Sequence, residues 1–272
     1  MKSRLLPANK RPASDAWTRD SAMIDTMASF IVHQINSDLE VHIAPEMPRL
    51  PAALEARIEF LWRRAVARVE AGGAGRLFNG RICSIDTIAP GRITGHLTEY
   101  RRHVAQLEDH SLFAELGIRA LAACGVSRCS DGIAIGRRPN NAIHQPGMWE
   151  LCPAGSIDVG AVGADGTADY RAQLLTELRE ELGLDANVVS DVIPLCLLEH
   201  PGSHICDLSM TVRVALDANA VLTAHRTLGD GEYDPLRIVP IADLPAFINR
   251  AGDLLAPTVP LFLAEAGLIG RP

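Results

Sequence analysis

"LLTELREELGLD", from Leu174 to Asp185, is the stretch whose reading decides the fold. Glu177, Glu180 and Glu181 precede Gly183 within it. Successive helical residues rotate by about 100°. Glu177 and Glu181 therefore stand one above the other, and Glu180 flanks the same edge. Tyr170, Leu174, Leu178 and Leu182 form an apolar stripe beside them, and Gly183 suits the left-handed position that ends a helix. The pattern predicts a helix from about Asp169 to Leu182. Like charges crowded on one edge destabilise an isolated helix, and a bound cation removes that cost. Oxygen-only donors suit Mg²⁺ or Mn²⁺. The plainer alternative is a solvated helix with many carboxylates, which is the default for a generic Glu-x-x-Glu-Glu.

Working outward, "WELCPAGSID" (149–158) carries turn residues at both ends of a short strand, and "VGAVGADGTAD" (159–169) is a loop rich in Gly and Ala. Before them, two apolar runs flank Ser130-Asp131-Gly132, a hairpin signal because Gly supplies the positive φ of a tight turn. After the helix, "VIPLCLLEH" (192–200) and "HICDLSMTVRVAL" (204–216) read as strands joined by Pro201-Gly202-Ser203, followed by a strand in "LRIVPI" (236–241) and a helix in "ADLPAFINRAG" (242–252). Nearer the N-terminus, "AMIDTMASFIVHQI" (22–35) reads as a helix and "LEVHIAP" (39–45) as extended. A helix follows a proline-rich linker. In it Leu54, Ile58, Leu61, Trp62 and Val66 recur at helical spacing up to Gly72-Gly73. Residues 76–104 read as two strands around "APGR", with a short helix at about 101–115. Hairpins outnumber simple strand–helix alternation, which favours an α+β fold with a mixed sheet between helices, an α/β/α sandwich. The expected organisation is a loosely packed segment 1–45, an α+β extension 46–114 and the main domain 115–272.

Composition narrows the function. The 272-residue chain is 47% hydrophobic, only 4% aromatic, and has a formal net charge of −7. With no basic run in the main body to neutralise phosphates, non-specific nucleic-acid binding is disfavoured and no nucleic-acid partner is expected. No apolar run reaches the roughly 18 residues of a membrane helix. The basic N-terminus also lacks the apolar stretch of a secretory signal. A cytoplasmic protein with no membrane partner is expected, and a homodimer is left open. The six cysteines form no Cys-x-x-Cys pair and mostly sit in apolar surroundings, so they are expected as buried thiols.

"TELREELGL" closing a region that begins "WELCPAGSID" resembles the Nudix hydrolase signature: Gly, five residues, Glu, seven residues, then Arg-Glu-apolar-x-Glu-Glu-x-Gly-apolar. Glu177, Leu178, Glu180, Glu181, Gly183 and Leu184 match its second half, and this stretch is called the box below. Pro153-Ala154-Gly155 looks like the Pro-Ala-Gly of members that hydrolyse nucleoside-diphosphate sugars. The resemblance covers about residues 115–270. More weakly, "IEFLWRRAVARVEAGGAGRLFNGRI" and "TEYRRHVA" resemble the N-terminal part of a branch acting on UDP-glucose and UDP-galactose. There are two departures. Thr176 stands where the family has arginine. Counting from Gly155, Ala161 stands where it has glutamate, with fourteen residues to Thr176 instead of seven. Asp158 and Asp169 are candidate substitutes for that carboxylate, and the Thr176 hydroxyl could bond a residue one turn away, such as Glu180.

The resemblance implies Mg²⁺- or Mn²⁺-dependent hydrolysis of a pyrophosphate bond in a nucleoside diphosphate linked to another group. It further implies Glu177, Glu180 and Glu181 as catalytic metal ligands, with the Ala154 carbonyl as a further ligand. Glu232, in the loop before the last strand, lies where relatives place a ligand or general base. The substrate candidates are Arg137 and Arg138, whose guanidinium groups fork onto phosphate, Trp149 for stacking, and Asp207, a carboxylate interrupting an apolar strand. Tyr170 is weighed for stacking too, but its place on the stripe favours the core. His200 and His204 flank the strand connection, a polar tip that could close over substrate. The rival function is a nucleotide-binding or regulatory module on the same scaffold that has lost catalysis.

Overall fold

The computed structural model describes residues 30–73, 76–142 and 145–271. In chain order the strands and helices are β1 (Ile31–Gln34), β2 (Glu40–Ala44), α1 (Ala52–Gly72), β3 (Arg81–Ala89), β4 (Arg92–Glu99), α2 (Tyr100–Glu108), α3 (Phe113–Leu116), β5 (Leu121–Arg128), β6 (Ile133–Arg137), β7 (Trp149–Leu151), β8 (Ala154–Ser156), α4 (Tyr170–Leu182), β9 (Val189–Glu199), β10 (Cys206–Val214), α5 (Ala218–Leu228), β11 (Leu236–Val239), α6 (Leu244–Ala251) and α7 (Thr258–Glu265). The fold is α+β, as the hairpin-rich pattern predicts.

Eight strands make one mixed sheet, six of them in the order β1-β9-β10-β5-β6-β11, with β7 paired to β6 and β8 to β5. β10 runs parallel to β5, and the other pairings are antiparallel. β5 shares its second edge between two partners: β8 along its first half and β6 at its end. β2, β4 and β3 form a separate three-stranded sheet. Its buried Val41, Ile43, Ile85 and Ile93 join one core with the α4 stripe (Tyr170, Leu174, Leu178, Leu182) and with Leu208 and Met210 of β10. The opposite face of the large sheet packs Val126, Ile135 and Leu198 against Phe247 of α6 and Phe262 of α7. The box helix α4 is thus clamped between two sheets, which fixes where its polar edge points.

α1 forms as predicted and ends on Gly73 at φ +66°. Its buried face is Leu54, Ile58, Leu61, Ala65 and Val69, so Trp62 and Val66 are only half-buried at its margin. The expected helix at 22–35 is not the whole story: 22–29 lie outside the described residues, and Ile31–Gln34 is strand β1, paired antiparallel with β9. Its β-branched Ile31-Val32 pair suits a sheet edge better than a helix. Residues 40–44, placed by the sequence in a loosely packed segment, are a strand with Val41 and Ile43 buried. "WELCPAGSID" forms two strands, not one. A cis Cys152–Pro153 bond separates β7, on β6, from β8, on β5. Gly125 makes room for that break, since a Cβ there would meet Pro153 Cδ at 2.7 Å.

The sequence reading passed over α5 and α7. α5 buries a single side chain, Val221, so its periodicity is faint, although Asp217 caps it by accepting from the Ala220 N–H at 2.8 Å. α7 contains Pro260, which reads as a helix breaker. It sits in the first turn, where the missing N–H has no helical partner to lose. No described helix is long and apolar enough to cross a membrane. All six cysteines are free and buried, as their apolar surroundings predict.

Candidate metal and active site

Local capping sets the box helix in place. Asp169 Oδ1 accepts from the Ala172 N–H at 2.9 Å, which satisfies one of the helix's orphan donors. Gly183, at φ +67°, closes the other end, its N–H donating to the Arg179 carbonyl. A Cβ on Gly183 would meet Leu228 Cβ at 2.6 Å and the Ala224 carbonyl at 2.7 Å, so this glycine also lets α5 approach.

With the leucine stripe buried, Glu177 and Glu181 are carried onto β8. Glu181 is 1% exposed. Both its oxygens accept from the Ala154 N–H, at 3.3 and 3.2 Å. Glu177 lies over Gly155, where a Cβ would come within 2.2 Å of Glu177 Oε1. Gln173, one turn earlier, donates to the same oxygen at 2.8 Å. The Pro-Ala-Gly segment entering β8 therefore offers an amide to one glutamate and bare space to the other.

Glu180 behaves differently. It is exposed, and it lines an open depression of about 870 Å³ with Thr176, Arg179 and Asp230. The three glutamates are not equivalent: the sequence places them on one side of the helix, and in the fold two face β8 while the third stands at the solvent edge. The Thr176 hydroxyl donates back to the Ala172 carbonyl at 3.0 Å and not forward to Glu180. Asp169 is taken up by helix capping. Asp158 accepts from the Gly160 N–H at 2.7 Å and still acts electrostatically on Glu177.

A second carboxylate pair faces the box. Glu232 contacts Arg138 Nη2 at 3.3 Å, and Arg138 Nη1 donates to Glu150 at 2.7 Å. The Tyr233 hydroxyl donates to the same Glu150 oxygen at 3.0 Å. Burial pushes the Glu181 carboxyl up to about 10, reinforced by the charges of Glu232 and Glu177. Burial also raises Glu177, with Glu180 and Glu232 adding to it against the Gln173 hydrogen bond. It raises Glu232 and Glu150 as well, against the pull of Arg138. Four carboxylates thus share a poorly solvated region with one guanidinium between two of them.

Such a region suits a cation. A buried carboxylate must be protonated or paired, because isolated charge in low dielectric is costly. The donors are all oxygen, which fits Mg²⁺ or Mn²⁺. Among the described residues, however, no three His, Cys, Asp or Glu side chains converge closely enough to hold a metal ion. Glu177 and Glu181 are the two carboxylates brought against β8, Glu177 over Gly155 and Glu181 on the Ala154 N–H.

The remaining candidates divide. Arg138 is committed to Glu150 and Glu232. Arg137 donates from Nε to the Gly147 carbonyl at 3.0 Å, which ties down the loop after β6. Trp149 is not a stacking platform: it packs edge-on against Phe247 at 5.3 Å, with Arg237 over its ring, in the core on the far face of the sheet. Asp207 also faces away from the box. Cys206, Leu208 and Met210 of β10 belong to the core that packs α4, so alternation turns Asp207 to the other side. There it meets His200 Nε2 at 2.6 Å. The His204 ring stacks on Phe113 at 3.5 Å, so the strand connection is tied to the extension. Tyr170 is in the core, its hydroxyl donating to the Leu39 carbonyl at 2.9 Å. Sequence reasoning missed Glu150, although a signal was present: Trp149 and Leu151 are buried on one face, so alternation sends Glu150 to the box side.

No family model matches the chain, and no curated protein matches it. Solved structures do. The Deinococcus radiodurans protein DR0079 aligns over 69% of this chain and 98% of its own, with 14% identity and a TM-score of 0.44. A hydrolase of the Nudix family from Clostridium perfringens aligns over 55% of this chain and 96% of its own, with 14% identity and a TM-score of 0.35.

Proposed function

We propose that this chain is a Nudix-type pyrophosphohydrolase, dependent on Mg²⁺ or Mn²⁺, that cleaves a nucleoside diphosphate linked to a sugar into a nucleoside monophosphate and a sugar phosphate. The observation that carries the reading is Glu181. A carboxylate 1% exposed, with Glu177 and Glu232 close enough to raise it further, is tolerable at neutral pH only with a proton or a cation. The box sequence around it favours the cation.

Glu177 and Glu181 would hold the metal, with Glu180 at the solvent edge as an accessory carboxylate and Ala154 contributing backbone. A divalent cation bound there supplies positive charge for the pyrophosphate oxygens, where most of the developing charge lies. The Ala154 N–H orients Glu181, and Gln173 orients Glu177. Glu232, raised above the ordinary carboxylate range and turned toward the same region, would take the proton of the attacking water. The nucleotide-sugar preference is supported by Pro153-Ala154-Gly155 and by the resemblance of the upstream segment. A cytoplasmic location is kept as part of the same proposal.

One observation favours the rival, a nucleotide-binding module without turnover. Thr176 spends its hydroxyl on the Ala172 carbonyl, so it braces neither Glu177 nor Glu180. A screen of nucleoside diphosphate sugars, dinucleotides and nucleoside triphosphates with Mg²⁺ and Mn²⁺ separates the two. Metal-dependent release of a nucleoside monophosphate supports the enzyme. Saturable binding with no release supports the module.

A further inference from the structure

Resting on the reading of Glu232 as the proton acceptor, we infer that Glu150 is a positioning residue: through Arg138 it holds the Glu232 carboxylate over the box glutamates. Glu232 sits in the connection between α5 and β11, just after Gly231 at φ +87°. Such a connection is among the less restrained parts of a fold. Its backbone is tied on either side, where the Asp230 N–H donates to the Glu180 carbonyl and the Asp234 N–H to the Arg137 carbonyl, each at 2.9 Å, and within it the Asp230 side chain accepts from the Glu232 N–H at 2.9 Å. The carboxylate itself is held by Arg138 Nη2.

Arg138 is in turn fixed from the sheet. It follows β6, and Glu150 is the middle residue of β7, paired directly with β6. Glu150 accepts from both Arg138 and the Tyr233 hydroxyl on one oxygen, so strand, guanidinium and loop are joined at a single atom. Tyr233 reaches that atom because Gly136 has no side chain. A Cβ on Gly136 would stand 2.4 Å from the Tyr233 ring. Arg138 and Glu150 have side-chain exposures of 18% and 12%, so the link is shielded from solvent, unlike a surface ion pair. Planar guanidinium geometry suits a two-carboxylate bridge in a way that a lysine does not.

The alternative is that Glu150 only neutralises Arg138 and stabilises β7. The two differ in how substitutions combine. If Glu150 acts through Glu232, removing either reports the same loss, and removing both costs little more. The experiment uses the full chain with Mg²⁺ and a hydrolysed nucleoside diphosphate sugar, and compares Glu150→Gln, Glu232→Gln and the double variant. Tyr233→Phe serves as a gentler probe that keeps every charge. The expected result is a fall in kcat of about tenfold or more for Glu150→Gln, KM within about threefold, and a double variant no slower than Glu232→Gln alone within about threefold. Tyr233→Phe should show a smaller fall in the same sense.

Amide hydrogen exchange, run in parallel, needs no activity. Residues 230–233 should exchange faster in Glu150→Gln and Tyr233→Phe, while α4 and β8 stay protected. Multiplicative losses in the double variant, or unchanged exchange at 230–233, overturn the inference. A wild-type chain that hydrolyses nothing overturns the proposed function instead, and exchange then decides alone whether Glu150 restrains the Glu232 loop.

Discussion

Glu177 occupies the space that a side chain on Gly155 would need: a Cβ at Gly155 would lie 2.2 Å from Glu177 Oε1 and 2.3 Å from its Cδ. The clash is with the far end of a flexible side chain and not with backbone. Gly155→Ala is therefore expected to move Glu177 and leave the fold standing. Turnover should drop about tenfold or more at fixed Mg²⁺ while the thermal midpoint shifts by no more than about 4 °C, the scale of about 1 kcal/mol in a domain of this size. Enzyme assays and a melting curve on the same preparation check this. An unchanged rate would remove Glu177 from the site.

Glu181 makes the metal-free protein sensitive to alkali. Its carboxyl is raised in the folded state from the ordinary 4.5 to about 10. The unfolded chain loses that proton as pH rises through about 4.5, whereas the folded chain keeps it to about 10. The unfolded state thus binds fewer protons across this window, and stability falls with rising pH. The contribution is fully present below about pH 4.5 and lost as pH passes about 10. Glu177, Glu150 and Glu232 are raised too, so their slopes have the same sign. Glu181→Gln should flatten the decline between pH 5 and 9 in chelator, an interval lying within the shift just described. Parallel melting curves for wild type and variant would contradict the assignment.

The same residue should dominate turnover. Glu181→Gln keeps the volume and can still accept from the Ala154 N–H, so its fold should persist. It removes the charge that a cation needs. A loss of at least about a hundredfold in kcat is expected under saturating Mg²⁺, with circular dichroism unchanged. Titration of the variant with Mn²⁺, followed by the ion's paramagnetic signal, should show weakened binding.

The helix and its stop were legible in the sequence because two signals coincide there: the apolar stripe and Gly183. The glutamates' division was not. Sequence spacing places Glu180 beside Glu177 on the helix surface, but which edge meets β8 depends on how α4 is clamped by Val41 and Ile43 from the small sheet. That packing comes from residues more than a hundred positions away. Trp149 misled for a related reason. An aromatic next to a turn reads as a surface platform until the partner on the far face, Phe247, is known. Asp207 was ambiguous by two-residue alternation alone, and the shared core of Leu208 and Met210 decides which face it takes.

Gly183→Ala tests how far the box glycine is structural. It adds a Cβ at φ +67°, facing the Ala224 carbonyl at 2.7 Å and Leu228 Cβ at 2.6 Å. The left-handed conformation costs an alanine about 1 kcal/mol, and overpacking against α5 adds about 1–3 kcal/mol. The urea midpoint should fall accordingly, with the slope unchanged.

Trp149→Ala separates core from substrate contact. The indole packs against Phe247 and shares one core with Leu255 and Ile135, on the face of the sheet away from Glu177 and Glu181. Truncating a buried aromatic of this kind costs about 3–5 kcal/mol. Trp149→Phe retains most of the apolar area and should cost less, since a ring of similar character can still meet Phe247 edge-on. In both variants the folded fraction should bind substrate with KM within about threefold of wild type, because a core residue contributes equally to free and bound states. A tenfold rise in KM for Trp149→Phe, with its melting curve unchanged, would return the indole to the substrate site; a large stability loss with KM preserved would fix it in the core.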